Sequence, residues 1–433
     1  MKGKIMKKLI SLLLALVMVL GLVACGDNAS TPDEPKEPEV TTVLEPLPPR
    51  EVEPKEPLTL IEEPVTEEDF MNNAKITSIV SMGNTYRLKA AMEKAKLGED
   101  VTLAYIGGSI TYGDTIADRS LNWANRSYEY FASTFGNGDN VHYVNAGVNG
   151  TPSAYGALRV NDDVLVHNPD VVFIEFAVND ASAVLYSDSF ECLIRECLTH
   201  ESKPAVVIVF ASAGESWWSG QPWQKRIAEN YDVSMVSYGD AVTYLFKNNV
   251  TNIKEFTSDN VHPTTEGHGI VAEFVNYFFD EAYRLDAPTE DAELPERKYA
   301  GMFQSGVMVR QQNYTPVSMG SWKNGTGMYN GNGWIINRDG TNEPIVFEFT
   351  GKNAYMCYAS VTNAEYGTAV AKVFYNGEEV ANVELLGKGT TWQACCSTLL
   401  YSAEAVGEYR IEVSMQSDPN AKFEIHGMAY TEE

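Results

Sequence analysis

The sequence predicts an α/β domain, a three-layer doubly wound parallel sheet, followed by an all-β sandwich. Between residues 67 and 285, apolar β-branched runs alternate with stretches of helical periodicity. Beyond residue 300 that periodicity stops, and short strand patterns are set apart by clusters of Gly, Asn and Thr. A length of 433 residues with 44% hydrophobic side chains leaves room for more than one core.

The elements of the α/β region read in order. Arg87 to Leu97 has the spacing of a helix, and Val101 to Ile106 that of a buried strand ending in Gly107-Gly108. Trp123 to Phe135 is helical, and Val141 to Val144 is a short strand running into Asn145-Ala146-Gly147. A helix is expected near Ala157 to His167. The continuous apolar run Val171 to Phe176 fits a strand covered on both faces. Phe190 to Thr199 is helical, Ala205 to Phe210 and Val233 to Val236 are strands, and a helix around Gly269 to Tyr283 closes the region. Residues 286–299, rich in Pro, Asp and Glu, form the joint to the β region at 300–433. There the strand patterns are Ile345 to Phe349, Tyr355 to Val361, Val370 to Tyr375, Val380 to Leu385, Tyr409 to Met415 and Phe423 to Tyr430. Asn376-Gly377 between two of them is a hairpin signal.

The N-terminus is read as a targeting segment and kept apart from the fold. Lys2, Lys4, Lys7 and Lys8 make a basic head, and the apolar run Leu9 to Ala24 is short for a membrane span. Leu22-Val23-Ala24-Cys25 resembles a bacterial lipobox, which implies a signal peptide over 1–24, lipidation of Cys25 and tethering to the outer face of a bacterial membrane. Residues 25–66 then read as an extended spacer. From 26 to 66 it holds nine of the chain's 19 prolines, and eleven acidic residues against three basic ones. The formal charge of −27 excludes nucleic acid as a partner, because phosphate binding rests on Lys and Arg. The cysteines show no metal-ligand spacing; apart from Cys25 they are expected to be buried free thiols.

In open parallel sheets, ligands bind beyond the carboxyl ends of the strands. The first strand ends in Gly107-Gly108-Ser109-Ile110-Thr111, a serine on a turn that enters a helix N-terminus, where N–H groups receive negative charge. Taken alone this is also ordinary turn chemistry. The second strand ends in Asn145 to Gly150 and the third in Ala177-Val178-Asn179-Asp180, each placing a glycine or an amide at the same edge. Among six histidines, His262 stands in Asp259-Asn260-Val261-His262-Pro263 just before the last helix. An Asp three residues ahead of a His in a turn is placed to hold the imidazole in one tautomer.

These four blocks, in this order over about residues 83 to 283, resemble the SGNH/GDSL hydrolases, a family with a flavodoxin-like three-layer fold. The resemblance implies a serine esterase in which Ser109 attacks a carboxylic ester, His262 acts as base and then acid, and Asp259 orients His262. It further implies an oxyanion hole made by the N–H groups of Ser109 and Gly147 with the Asn179 side chain, and no metal or cofactor. Two positions depart from the family pattern: Gly108 stands where Asp is usual before the serine, and Ala177 where Gly is usual in the Asn-Asp block. His268 and Asp180 are expected to be structural.

Trp217, Trp218 and Trp223 cluster after a strand and are candidate sugar-binding residues, with packing of the loop as the equal alternative. Trp322, Trp334 and Trp392 are either a sugar platform or core. A tethered esterase with an appended β region fits removal of O-acetyl groups from a polysaccharide. A lipase, lysophospholipase or thioesterase of the same fold is the first alternative, and a non-catalytic carbohydrate-binding lipoprotein the second.

Overall fold

The computed structural model describes residues 47–432 apart from 215, 329–330 and 390–392. The expected signal peptide, Cys25, the first part of the expected spacer and Trp392 therefore lie outside the described residues. In chain order the α/β region runs α1 (Glu67–Ser78), β1 (Ile79–Ser81), α2 (Tyr86–Lys96), β2 (Val101–Gly107), α3 (Ser109–Tyr112), α4 (Trp123–Phe135), β3 (Val141–Gly147), α5 (Ser153–Asp163) and β4 (Val171–Glu175). It continues with α6 (Val184–Thr199), β5 (Ala205–Phe210), α7 (Gln221–Asn230), β6 (Ser234–Ser237), α8 (Tyr238–Lys247), α9 (Ile253–Phe256) and α10 (Thr265–Arg284).

Six strands form one sheet in the order β1-β6-β5-β4-β2-β3. All neighbours are parallel except β1, which runs antiparallel along β6 at the edge. That edge strand and α1 carry no strong periodic signal and are absent from the sequence reading. The continuous apolar runs became the inner strands: β4 and β5 are buried at every residue, because helices cover both faces. Tyr105 on β2 stacks on Phe173 on β4 at 4.7 Å, and Trp123 meets both edge-on.

The expected spacer over 25–66 is corrected at its far end, since residues from Leu47 onward belong to the same compact unit as the rest of the described chain. Arg50 donates to the carbonyls of Gly136 and Ser133, and the Tyr283 hydroxyl donates to the Val52 carbonyl. Ile61 exchanges two hydrogen bonds with the Asn73 side chain on α1. Composition signalled solvation, but these backbone groups find partners on the helices they cross.

The β region comprises β7 (Gly306–Val309), β8 (Trp322–Thr326), β9 (Asn332–Ile336), β10 (Ile345–Ser360), β11 (Thr368–Tyr375), β12 (Glu378–Leu386), β13 (Gln393–Met415) and β14 (Glu424–Thr431). They form a single antiparallel sheet, β12-β11-β13-β10-β14-β9-β8, with β7 added on β14. The sandwich is thus one sheet folded over its own core. The long strands β10 and β13 carry register shifts that let them bend, and Trp334 on β9 lies edge-on to Phe347 on β10 at 5.0 Å. Asn376 and Gly377 both have positive φ, 50° and 86°, and join β11 to β12 in the tight turn their sequence signalled.

The joint at 286–305 is held by carboxylates on α6. Asp188 accepts the N–H groups of Gly301 and Met302 at 2.6 and 2.9 Å, and Glu191 those of Lys298 and Tyr299 at 2.9 and 2.8 Å. Glu196 accepts the Ser305 N–H. Beyond the joint the two regions share a core, in which Phe303, Tyr355 and Cys357 pack in one cluster with Leu158 and Leu193. Phe303 sits 5.0 Å from the Tyr355 ring. Phe303→Ala should therefore destabilise the whole described unit by about 3–5 kcal/mol. Calorimetry should show one transition moved to lower temperature, and separate melting of the two regions would contradict a shared core.

Candidate active site

β2 ends at Gly107, and the chain turns through Gly108 into the four-residue α3, with Ser109 as its first residue. The turn leaves no space for side chains. A Cβ at Gly107 would lie 2.3 Å from Thr111 Oγ1 and 2.7 Å from the Glu175 carbonyl oxygen. A Cβ at Gly108 would lie 2.4 Å from Asn179 Oδ1. The departure from the family pattern at 108 thus makes room for the Asn179 amide beside the serine. The Gly107 carbonyl accepts the Val148 N–H at 3.0 Å and faces Arg159 Nη2 at 3.4 Å, and Asn145 Nδ2 donates to the Thr111 carbonyl at 2.8 Å.

Ser109, His262 and Asp259 form one hydrogen-bonded chain. Ser109 Oγ is 2.8 Å from His262 Nε2, and His262 Nδ1 is 2.7 Å from Asp259 Oδ2. The second Asp259 oxygen accepts the backbone N–H groups of Val261 and His262 at 3.0 and 2.8 Å. One carboxylate therefore fixes both the ring and the turn that carries it. Burial opposes its charge, but the His262 N–H, the His262 ring and the Val261 N–H outweigh burial and hold the carboxyl below its ordinary value. The turn is tied at its base, where Ser258 N donates to the His262 carbonyl at 2.8 Å and Thr264 caps α10 through the Gly267 N–H.

The other histidines stand apart from this chain. His268 is fully buried, its Nδ1 accepts the Trp123 N–H at 3.3 Å, and burial with the charges of Arg126 and His262 pushes it down to about 3. His142 pairs with Asp100 and His200 with Ser202.

The expected oxyanion donors have different surroundings. Asn179 is half-buried, with its amide against Gly108. Gly147, in contrast, has its N–H taken by Asn145 Oδ1 at 2.8 Å. Its lack of a side chain serves packing instead, since a Cβ there would lie 2.4 Å from the Tyr112 N atom. A donor without a partner lies three residues on. Gly150 has φ of +59°, which suits glycine, and its N–H has no partner among the described residues. Its signal in the sequence is the second glycine of Asn145-Ala146-Gly147-Val148-Asn149-Gly150.

Two of the three candidate sugar-binding tryptophans are packing residues. Trp223 is buried on α7, edge-on to Phe190. Trp217 packs on Phe246 and Phe256, with its ring N–H donating to the Gly239 carbonyl. Trp218 is exposed. In the β region Trp322 and Trp334 are core. No local sequence pattern signals a cavity of about 260 Å³ next to α3, walled by Tyr112, Asn149 and Tyr155 on one side and by Arg310, Gln312 and His426 of the β region on the other. Asp180 is buried and accepts the Ser153 N–H at 2.7 Å and Gln224 Nε2 at 3.0 Å, joining α5 to α7, and burial pushes it up to about 7.

Residues 105–270 match the GDSL-like lipase/acylhydrolase family, a segment that carries the serine turn and the Asp-His turn alike. They are a GDSL-like acylhydrolase domain. The chain is an enzyme of the class that hydrolyses carboxylic esters. Among solved structures, a two-domain esterase active on acetylated mannans is 26% identical, with a TM-score of 0.71 over 83% of this chain and 99% of that one. The same esterase co-crystallised with mannopentaose gives a TM-score of 0.69 at 26% identity, over 83% and 98% of the two chains. No curated protein sequence matches the chain. In this acylhydrolase, Asp259→Asn keeps the side chain's shape but removes its hold on the His262 tautomer. Turnover of p-nitrophenyl acetate should drop by ~10⁴-fold, as in other Ser-His-Asp enzymes. Steady-state kinetics would check this, and an unchanged kcat would mean that His262 is oriented by something else.

Proposed function

We propose that this chain is an exported, lipid-anchored serine esterase that removes O-acetyl groups from a mannan-type polysaccharide. The observation that carries the reading is the Ser109–His262–Asp259 hydrogen-bond chain, with distances of 2.8 and 2.7 Å, at the carboxyl end of a parallel sheet. The substrate class draws support from the esterase active on acetylated mannans, to which the α/β and β regions correspond together over almost that whole chain.

In the reaction, Ser109 Oγ attacks the acetyl carbonyl carbon as His262 Nε2 takes the hydroxyl proton. The tetrahedral oxyanion faces the Ser109 and Gly150 N–H groups and the Asn179 amide. Collapse breaks the bond to the sugar oxygen, His262 returns its proton to that oxygen, and the sugar leaves with a free hydroxyl. Water, deprotonated by His262, then attacks the acetyl-serine ester and releases acetate. Asp259 stays ionised throughout and stabilises the imidazolium. The polysaccharide chain lies in the cleft between Tyr112 and the β region, where aromatic faces and polar tips suit a pyranose ring.

Acetylated mannan should release acetate with the wild-type protein and none with Ser109→Ala, while p-nitrophenyl esters of long acyl chains should be poorer substrates than the acetate. A preference for long chains would replace this reading with a lipase. Cys25→Ser should abolish incorporation of labelled palmitate in a bacterial host and move the protein from the membrane fraction to the soluble fraction. Labelling that survives the substitution would refute the anchor.

A further inference from the structure

Glu175 ends β4 directly beneath the nucleophile turn, and the reaction as written gives it no task. It is the register partner of Gly107 and is 1% exposed. Its Oε2 accepts the Thr111 hydroxyl at 3.0 Å, and its buried Oε1 has no hydrogen-bond partner among the described residues. The Thr111 donor stands two residues beyond Ser109 in the same short helix α3. The titratable groups facing Glu175 are the Asp180 carboxyl on the loop after β4 and the buried Tyr238 phenol at the start of α8, and neither supplies positive charge.

We infer that Glu175 is a positioning residue for Ser109: its carboxyl ties the end of β4 to Thr111 on α3 and so fixes the direction of the serine hydroxyl and of the Ser109 N–H. The inference rests on Ser109 being the nucleophile. Burial pushes the Glu175 carboxyl up to about 8, against the Thr111 hydrogen bond and with the Asp180 charge adding to the rise. At neutral pH it therefore holds its proton and grips the turn without a charge. Once ionised, it sets an anion beneath the place where the reaction builds negative charge, which opposes the oxyanion.

The test is the rate at which a fluorophosphonate probe labels Ser109, followed from neutral to alkaline pH. In the wild type the rate should fall as pH rises through about 8. Glu175→Gln, whose amide copies the uncharged acid, should lose that alkaline fall. Thr111→Val removes the other end of the clasp and should lower both the labelling rate and kcat for p-nitrophenyl acetate by roughly tenfold to a hundredfold, with KM unchanged. An alkaline fall that persists in Glu175→Gln, or wild-type rates in Thr111→Val, would overturn the inference. Should Glu175→Gln fail to fold, Thr111→Val alone decides. A wild-type protein that the probe does not label, like a Ser109→Ala control, would overturn the nucleophile assignment and this inference together.

Discussion

The site depends on a close backbone approach at the end of β2. Gly107 lies between the Thr111 hydroxyl and the Glu175 carbonyl with no room for a methyl group, and Gly108 lies against the Asn179 amide in the same way. Sheet pairing brings Gly107 level with Gly147 on one side and Glu175 on the other. Three strand ends thus deliver the serine turn, the glycine loop and the Asn-Asp loop to one edge without any long side chain to bridge them. A side chain at 107 would push α3 away from β4 and carry Ser109 out of reach of His262.

The Asp259–His262 pair is half-exposed on its carboxylate side, and as an ion pair at the surface it adds little to stability. Its effect is orientation. One Asp259 oxygen binds the turn's N–H groups, so the other is held in place to bind the ring and set its orientation. The rigidity comes from short-range geometry, three residues of chain closed onto themselves ahead of a capped helix.

That same locality explains which features were legible in the sequence. The inner strands announced themselves as continuous apolar runs, and Ser109, Asp259 and His262 stood in short blocks whose chemistry needs only neighbours in the chain. Gly147 ends β3 and Gly150 follows it, and the side chain of Asn145, which accepts the Gly147 N–H, is what sets the two glycines apart. The tryptophans were ambiguous for a related reason, since aromatic residues after a strand fit a sugar platform and a packed loop equally well. Trp217 and Trp223 take the second course because Phe246, Phe256 and Phe190 lie opposite them. Residues 47–66 and the edge strand β1 were hidden because their partners are distant in sequence. The cleft wall of Arg310, Gln312 and His426 was hidden for the same reason: no local pattern records which residues of the β region face the acylhydrolase domain.

The joint on α6 bears on how such a protein is inherited and cut. Asp188, Glu191 and Glu196 are all buried, and each accepts a backbone N–H from residues 298–305. A gene fragment ending at residue 285 would take the Gly301 and Met302 N–H groups from Asp188 and the Lys298 and Tyr299 N–H groups from Glu191, beside the hollow vacated by Phe303. The β region is therefore not an interchangeable cassette. Recombination at this boundary would require α6 to be rewritten at the same time, so the two regions are bound to travel together as a single heritable unit.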